Sequence, residues 1–193
     1  MNDFDVLGPD KKPLKIATFD IESLDLSAEW AYMVCACVKE VNRHNLLGKT
    51  HTFRIDNYDY EKEQDKSLLK DLVKCLDSFD LILGWYSSRF DFPFTVTRCL
   101  KYRLKVPTKN FRRDLCLSAR GFGKLNNNRL ASWDRWLFGK ATKTNLTFER
   151  KLGAIRGNKE DIDFYVDHCE KDVFSTERIY KQVMPVLGKL RRG

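Results

Sequence analysis

Apolar positions in this chain switch between two spacings, and each switch marks an element. Residues 15–22 (Lys-Ile-Ala-Thr-Phe-Asp-Ile-Glu) open with β-branched and aromatic residues and contain no breaker, so they read as a buried strand ending in acids. Residues 31–38 form a second apolar run. Residues 50–55 alternate as a third strand, after turn chemistry at Asn42, Asn45 and Gly48. Together these predict a three-stranded antiparallel meander. The spacing then becomes helical: Leu68, Leu69, Leu72, Val73 and Leu76 share one face. Residues 79–84 return as a short buried strand ended by Gly84. A meander followed by helix and strand points to an α/β fold with a mixed sheet.

Beyond Gly84 the pattern weakens. Pro93 suits a first helical turn and places Asp91 near a helix N-terminus, with the helix continuing over 95–105 until Pro107. Asp91 there reads as a simple N-cap or as a site residue. Residues 111–117 read as another strand. Gly121, Gly123 and Asn126-Asn127-Asn128 read as loop, and 144–152 as a short helix closed by Gly153. The final helix is well marked. Asn158 caps it, Ile162, Val166, Cys169, Val173, Thr176, Tyr180 and Val183 form its stripe, and Pro185 and Gly188 stop it. Residues 1–14 read as an N-terminal tail and 15–193 as one domain.

Composition excludes some classes. No apolar run approaches the ~20 residues of a membrane span, and the N-terminus lacks the pattern of a secretory leader, so the expectation is an intracellular protein without a membrane partner. The six cysteines show no Cys-x-x-Cys pair and no zinc spacing with His, and read as reduced thiols. The net charge of +8 is uneven: residues 98–159 hold 17 Lys or Arg against three acids, which leaves +14 there and −6 elsewhere. A basic segment of that weight suits a polyanion, nucleic acid first. Within it, Trp133, Trp136 and Phe138 sit among Arg129, Arg135, Lys140 and Lys143, interleaving aromatics with cations as single-stranded nucleic acid favours, and Arg112 and Arg113 are further binding candidates. Trp133 and Trp136, at i and i+3, equally suit a short helix packed on the core.

The candidate chemistry is carboxylate chemistry. Asp20 and Glu22 lie on the same strand face, roughly 7 Å apart at ~3.3 Å per residue. Two acids at the end of a buried element stay charged most readily around a hard divalent cation. His168 and Asp172, at i and i+4, share a helix face beside the buried stripe.

Three ordered motifs carry a resemblance: Phe19-Asp20-Ile21-Glu22, the stretch Gly84-Trp85-Tyr86-Ser87-Ser88-Arg89-Phe90-Asp91-Phe92-Pro93, and His168-Cys169-Glu170-Lys171-Asp172. Over about residues 15–182 the chain resembles the DEDD 3′–5′ exonucleases of the ribonuclease H-like fold, and most closely the proofreading domain of family B DNA polymerases. The resemblance implies a mixed sheet, meander plus parallel strands, flanked by helices. It also implies two Mg²⁺ or Mn²⁺ ions. Asp20 would bridge them, Glu22 and Asp172 would hold one, and Asp91 would reach the other through water. His168 would place the attacking water; it has the spacing of the family's Tyr-x-x-x-Asp variant. Tyr86 stands where the family B pattern has Asn. Tyr86 and Phe90 join the nucleic-acid-binding candidates.

The implied substrate is a single strand or frayed 3′ end, DNA before RNA, and the implied products are nucleoside 5′-monophosphates. A polymerase module is the implied partner if the chain is a fragment. The rival readings are a structure-specific endonuclease or transposase-like nuclease of the same fold, and an inactive nucleic-acid-binding module.

Overall fold

The computed structural model describes residues 13–108, 110–142 and 147–187. Five strands form one mixed sheet in the order β3-β2-β1-β4-β5: β1 (Ile16–Ser23), β2 (Met33–Glu40), β3 (Thr50–Arg54), β4 (Leu81–Gly84) and β5 (Phe111–Asp114). β1 pairs antiparallel with β2, and β2 with β3, which is the meander the alternation predicts. β1 pairs parallel with β4, and β4 with β5. This is the ribonuclease H-like architecture the motifs imply, and it puts β1 at the centre of the sheet.

Helices cover both faces. α1 (Tyr60–Glu63) and α2 (Lys66–Leu76) precede β4, α3 (Asp91–Lys101) follows it, and α4 (Leu115–Phe122), α5 (Leu130–Phe138) and α6 (Phe148–Ile155) lead to α7 (Lys159–Val183). Alternation along β1 assigns the partners. Its odd residues enter the larger core with α2 and α3, where the Phe19 and Phe92 rings lie 5.2 Å apart. Its even residues meet α7: the Thr18 hydroxyl donates to the Val173 carbonyl at 3.0 Å, and the Cys169 thiol donates to the Asp20 carbonyl at 3.4 Å. At 1.5 Å per residue the 25 residues of α7 span about 37 Å, enough to cross the sheet. All six cysteines are free thiols and five are buried.

Several sequence expectations need correction. The helix after Pro93 ends at Lys101, not at 105, because Arg103 adopts a left-handed φ of 54° and breaks the ladder. The strand expected over 111–117 stops at Asp114, whose carboxylate accepts the Leu117 N–H and so caps a new helix. Of the loop expected at Gly121, Gly123 and Asn126-Asn127-Asn128, Gly121 falls inside α4, whereas residues 123–129 are loop and lead into α5. α6 begins at Phe148 under a Thr147 cap and contains Gly153 instead of ending there; residues 144–146 of the expected helix lie outside the described residues. Residues 1–12 of the tail and Gly188 also lie outside them.

Two buried ion pairs tie the layers together. The Arg98 guanidinium, 1% exposed, grips Asp65 at 2.6 Å, and Asp65 also accepts the Met33 N–H. Lys39 of β2 reaches Glu177 of α7 at 3.2 Å and donates to the Leu46 and Gly48 carbonyls. Removing one partner of such a pair strands a buried charge, a loss of about 3–5 kcal/mol. Among the described residues no helix is long and apolar enough to cross a membrane.

Candidate active site

β4 pairs with β1 only as far as Thr18, so the next turns of β1 lack a strand on that side. Asp91 fills the gap: its Oδ1 accepts the Ile21 N–H at 3.0 Å. Asp91 is therefore more than the helix N-cap the sequence allowed. It sits in the first turn of α3, with Phe90 in the capping position, and stitches α3 to the exposed edge of β1. Gly84 makes the preceding turn possible. A Cβ there would lie 2.2 Å from the Ser87 hydroxyl and 3.3 Å from the Phe19 carbonyl oxygen.

Asp20 and Glu22 leave β1 on the face that α7 covers, just before an irregularity in the β1–β2 pairing between Glu22 and Ser23. α7 brings its own pair across. His168 Nε2 lies 3.4 Å from Glu22 Oε1 and 3.9 Å from Asp172 Oδ2, and both the imidazole and Asp172 are buried. Asp20, Glu22, Asp91, His168 and Asp172 thus line one cleft of about 1220 Å³. Residues up to 152 positions apart in sequence meet where parallel and antiparallel pairing diverge, the usual place for a site in an open α/β sheet.

The electrostatics are those of crowded acids. Burial pushes the Asp91 carboxyl up to about 7, with the negative charges of Asp114 and Asp172 adding to the rise and the Ile21 N–H opposing it. Among the described residues no three His, Cys, Asp or Glu side chains converge as a ready-made metal cage. The donors nonetheless fit divalent cations in kind. They are carboxylate oxygens and one imidazole, and a cation beside Asp91 would favour the charged form that burial opposes. Asp20, Glu22, Asp91 and Asp172 are the groups that would hold such ions.

The remaining candidates scatter. Tyr86 and Phe90 line the cleft. Arg112 does not: its guanidinium stacks 4.1 Å from the Phe92 ring centroid, donates to the Pro107 carbonyl, and is held below its usual pKa by burial. Arg113 is buried in β5, and Arg135 is exposed on α5 outside the lining. Trp133 belongs to a core cluster with Ala119, Leu130, Ile179 and Val183, so for it the packing alternative holds. Trp136 packs edge-on against Trp133 and is 64% exposed, away from the cleft lining.

The arginines that do line the cleft are Arg89, Arg120 and Arg129, and of these the sequence had set only Arg129 among the aromatic-flanked cations. Asp114 was missed too. Its carboxylate accepts the N–H groups of Tyr86, Ser88 and Leu117 and the Ser88 hydroxyl, pinning the second motif to α4. Asn128 does similar work: its carbonyl accepts the Trp85 indole N–H at 2.9 Å, and its side-chain oxygen accepts that of Trp133 at 3.0 Å. The only signals for these roles were an acid in a basic segment and an Asn run.

The family model for the RNase_H superfamily matches residues 17–184. Among solved structures, a family B DNA polymerase from the hyperthermophilic archaeon Pyrobaculum calidifontis is similar, with a TM-score of 0.70 at 17% identity. The match covers 90% of this chain and 25% of that polymerase, so the chain spans about a quarter of its length. No curated protein matches this chain.

Proposed function

The chain belongs to the RNase_H superfamily, and from that membership we propose that it is a metal-dependent 3′–5′ exonuclease acting on single-stranded or frayed nucleic acid, with DNA favoured. The observation that carries this reading is the convergence of four carboxylates and an imidazole, from three separate segments, on one cleft. The polymerase likeness supports the fold that such a site needs.

Asp20, Glu22, Asp91 and Asp172 would hold two divalent ions, Mg²⁺ or Mn²⁺. When bound, the ions supply Lewis acidity and lower the pKa of a nearby water. His168 Nε2, placed beside Glu22 and Asp172, orients the attacking water and accepts its proton. The water oxygen attacks the terminal phosphodiester phosphorus. The bond from phosphorus to the neighbouring 3′ oxygen breaks, and that oxygen takes a proton from solvent water, leaving a 3′-hydroxyl and a nucleoside 5′-monophosphate. Asp91, anchored on the Ile21 N–H, keeps α3 and β1 in register, and its carboxylate would be among the groups that hold the ions.

The test is digestion of a 5′-labelled oligonucleotide with Mn²⁺, wild type beside Asp20→Ala. The expected result is a ladder shortening from the 3′ end that the variant loses by more than tenfold, with oligonucleotide binding intact. Discrete internal cuts would identify an endonuclease of the same fold. Binding without metal-dependent turnover would identify an inactive module.

A further inference from the structure

Tyr86 has a left-handed backbone, φ 65°, in the loop between β4 and α3. Residues with a bulky side chain seldom adopt this region, because Cβ crowds the following carbonyl at a cost of roughly 1–2 kcal/mol. The surroundings enforce it. Asp114 holds the Tyr86 N–H at 3.1 Å and the Ser88 N–H at 3.0 Å, and the Tyr86 carbonyl accepts the Arg89 N–H at 3.0 Å. Such strain is kept where the structure over-determines it, and the next question is what the side chain does there.

The Tyr86 ring is not packed away. It is 43% exposed and lines the same cleft as the acids. The Arg120 guanidinium, also in the cleft lining, lies 5.5 Å from its centroid. Among the described residues Arg120 forms no ion pair with a carboxylate, whereas Arg54, Arg98, Arg150 and Arg178 all do. A fixed, half-exposed aromatic face with a cation over it is the arrangement that stacks a base while favouring the phosphate beside it.

We propose that Tyr86 and Arg120 form a stacking shelf for a nucleobase of the strand whose 3′ end reaches the acids. The proposal rests on reading the cleft as a nucleic-acid site and adds which groups hold the strand and by what contact. Stacking on a π-face is indifferent to base identity, but it requires an unpaired base. The shelf therefore selects single-stranded ends without reading sequence.

The experiment measures binding in EDTA, where no hydrolysis occurs. Two fluorescein-labelled probes are compared: a short oligodeoxythymidylate, and the same strand with abasic residues over its 3′ portion. Tyr86→Asn suits the left-handed backbone, so folding is preserved while the ring is lost. It is expected to weaken the intact probe roughly 5- to 150-fold and to leave the abasic probe unchanged. Tyr86→Phe should bind as wild type. Arg120→Gln should cost the intact probe roughly 2- to 5-fold more than the abasic one, which keeps only the phosphate attraction. Equal losses on both probes, or no loss on either, would overturn the shelf. Base-dependent binding without any 3′–5′ hydrolysis in Mn²⁺ would leave the shelf standing and sink the exonuclease reading. Normal hydrolysis with base-independent binding would do the reverse.

Discussion

Replacing Asp91 by Asn should make the metal-free protein more stable while destroying its activity. The carboxyl is buried and its pKa is raised from 3.8 to about 7. Between those values the folded chain keeps a proton that the unfolded chain has lost. Stability therefore falls as pH rises across this window, and the penalty is complete above it. The gap corresponds to a ceiling of about 4 kcal/mol, at ~1.4 kcal/mol per pH unit. Asn at this position keeps an oxygen for the Ile21 N–H and carries no charge to desolvate. Relaxation and water entry reduce the gain, so about 2 kcal/mol is a working figure; at 2–4 °C per kcal/mol for a domain of this size it raises Tm by about 4–8 °C. The assay is thermal unfolding by circular dichroism in EDTA at several pH values from 4 to 8.5. The variant should match wild type near pH 4 and exceed it increasingly towards pH 8. Adding Mn²⁺ at pH 8 should stabilise wild type more than the variant, since ligation favours the state that binds. A variant no more stable than wild type at pH 8, or a difference that ignores pH, would refute the burial argument.

Two further outcomes follow from the same geometry. His168→Ala should lower turnover by about 10²–10⁴ with unchanged oligonucleotide binding, and His168→Tyr should restore part of it; single-turnover rates identical to wild type would reduce His168 to a packing residue. Gly84→Ala forces a Cβ into Ser87 and should cost about 1–3 kcal/mol, read as a lower urea midpoint, because Ser87 is short and buried and the Phe19 contact is to its backbone.

Much of the fold is legible in period and punctuation. The meander, the α2 stripe, β4 and the Asn158-capped α7 all follow from them, since each buries a continuous face that local spacing records. Asp20 and Glu22 are legible for the same reason, being two steps apart on one strand. The region after β5 is not. Residues 111–117 contain no Gly or Pro breaker where Asp114 turns from strand residue to helix cap, so one strand is read across that change. Charge counting misleads in another way. Arg98 belongs to the basic segment on paper but is spent on Asp65 inside the protein, and Arg112 stacks on Phe92. Arg120 and Arg129 reach the cleft by the path of α4 and the loop after it, which no pattern specifies. Asp91 illustrates the general limit: its partner, the Ile21 N–H, lies 70 residues away.

The placement of α7 has a consequence for how the chain acquires its chemistry. β1 and β2 are in place early in the sequence, yet α7, which holds His168 and Asp172, lies more than a hundred residues later. Contacts of such long range are slow to form, because the intervening loop must be closed before they repay its entropy. Until α7 docks, the sheet face that carries Asp20 and Glu22 beside Cys35 and Cys37 is uncovered, and the cleft has no second half. The reactive centre is thus among the last features to mature. A nascent or partly unfolded chain would expose a sticky sheet and no nuclease, so a cell holding such intermediates faces an aggregation hazard and not stray cleavage.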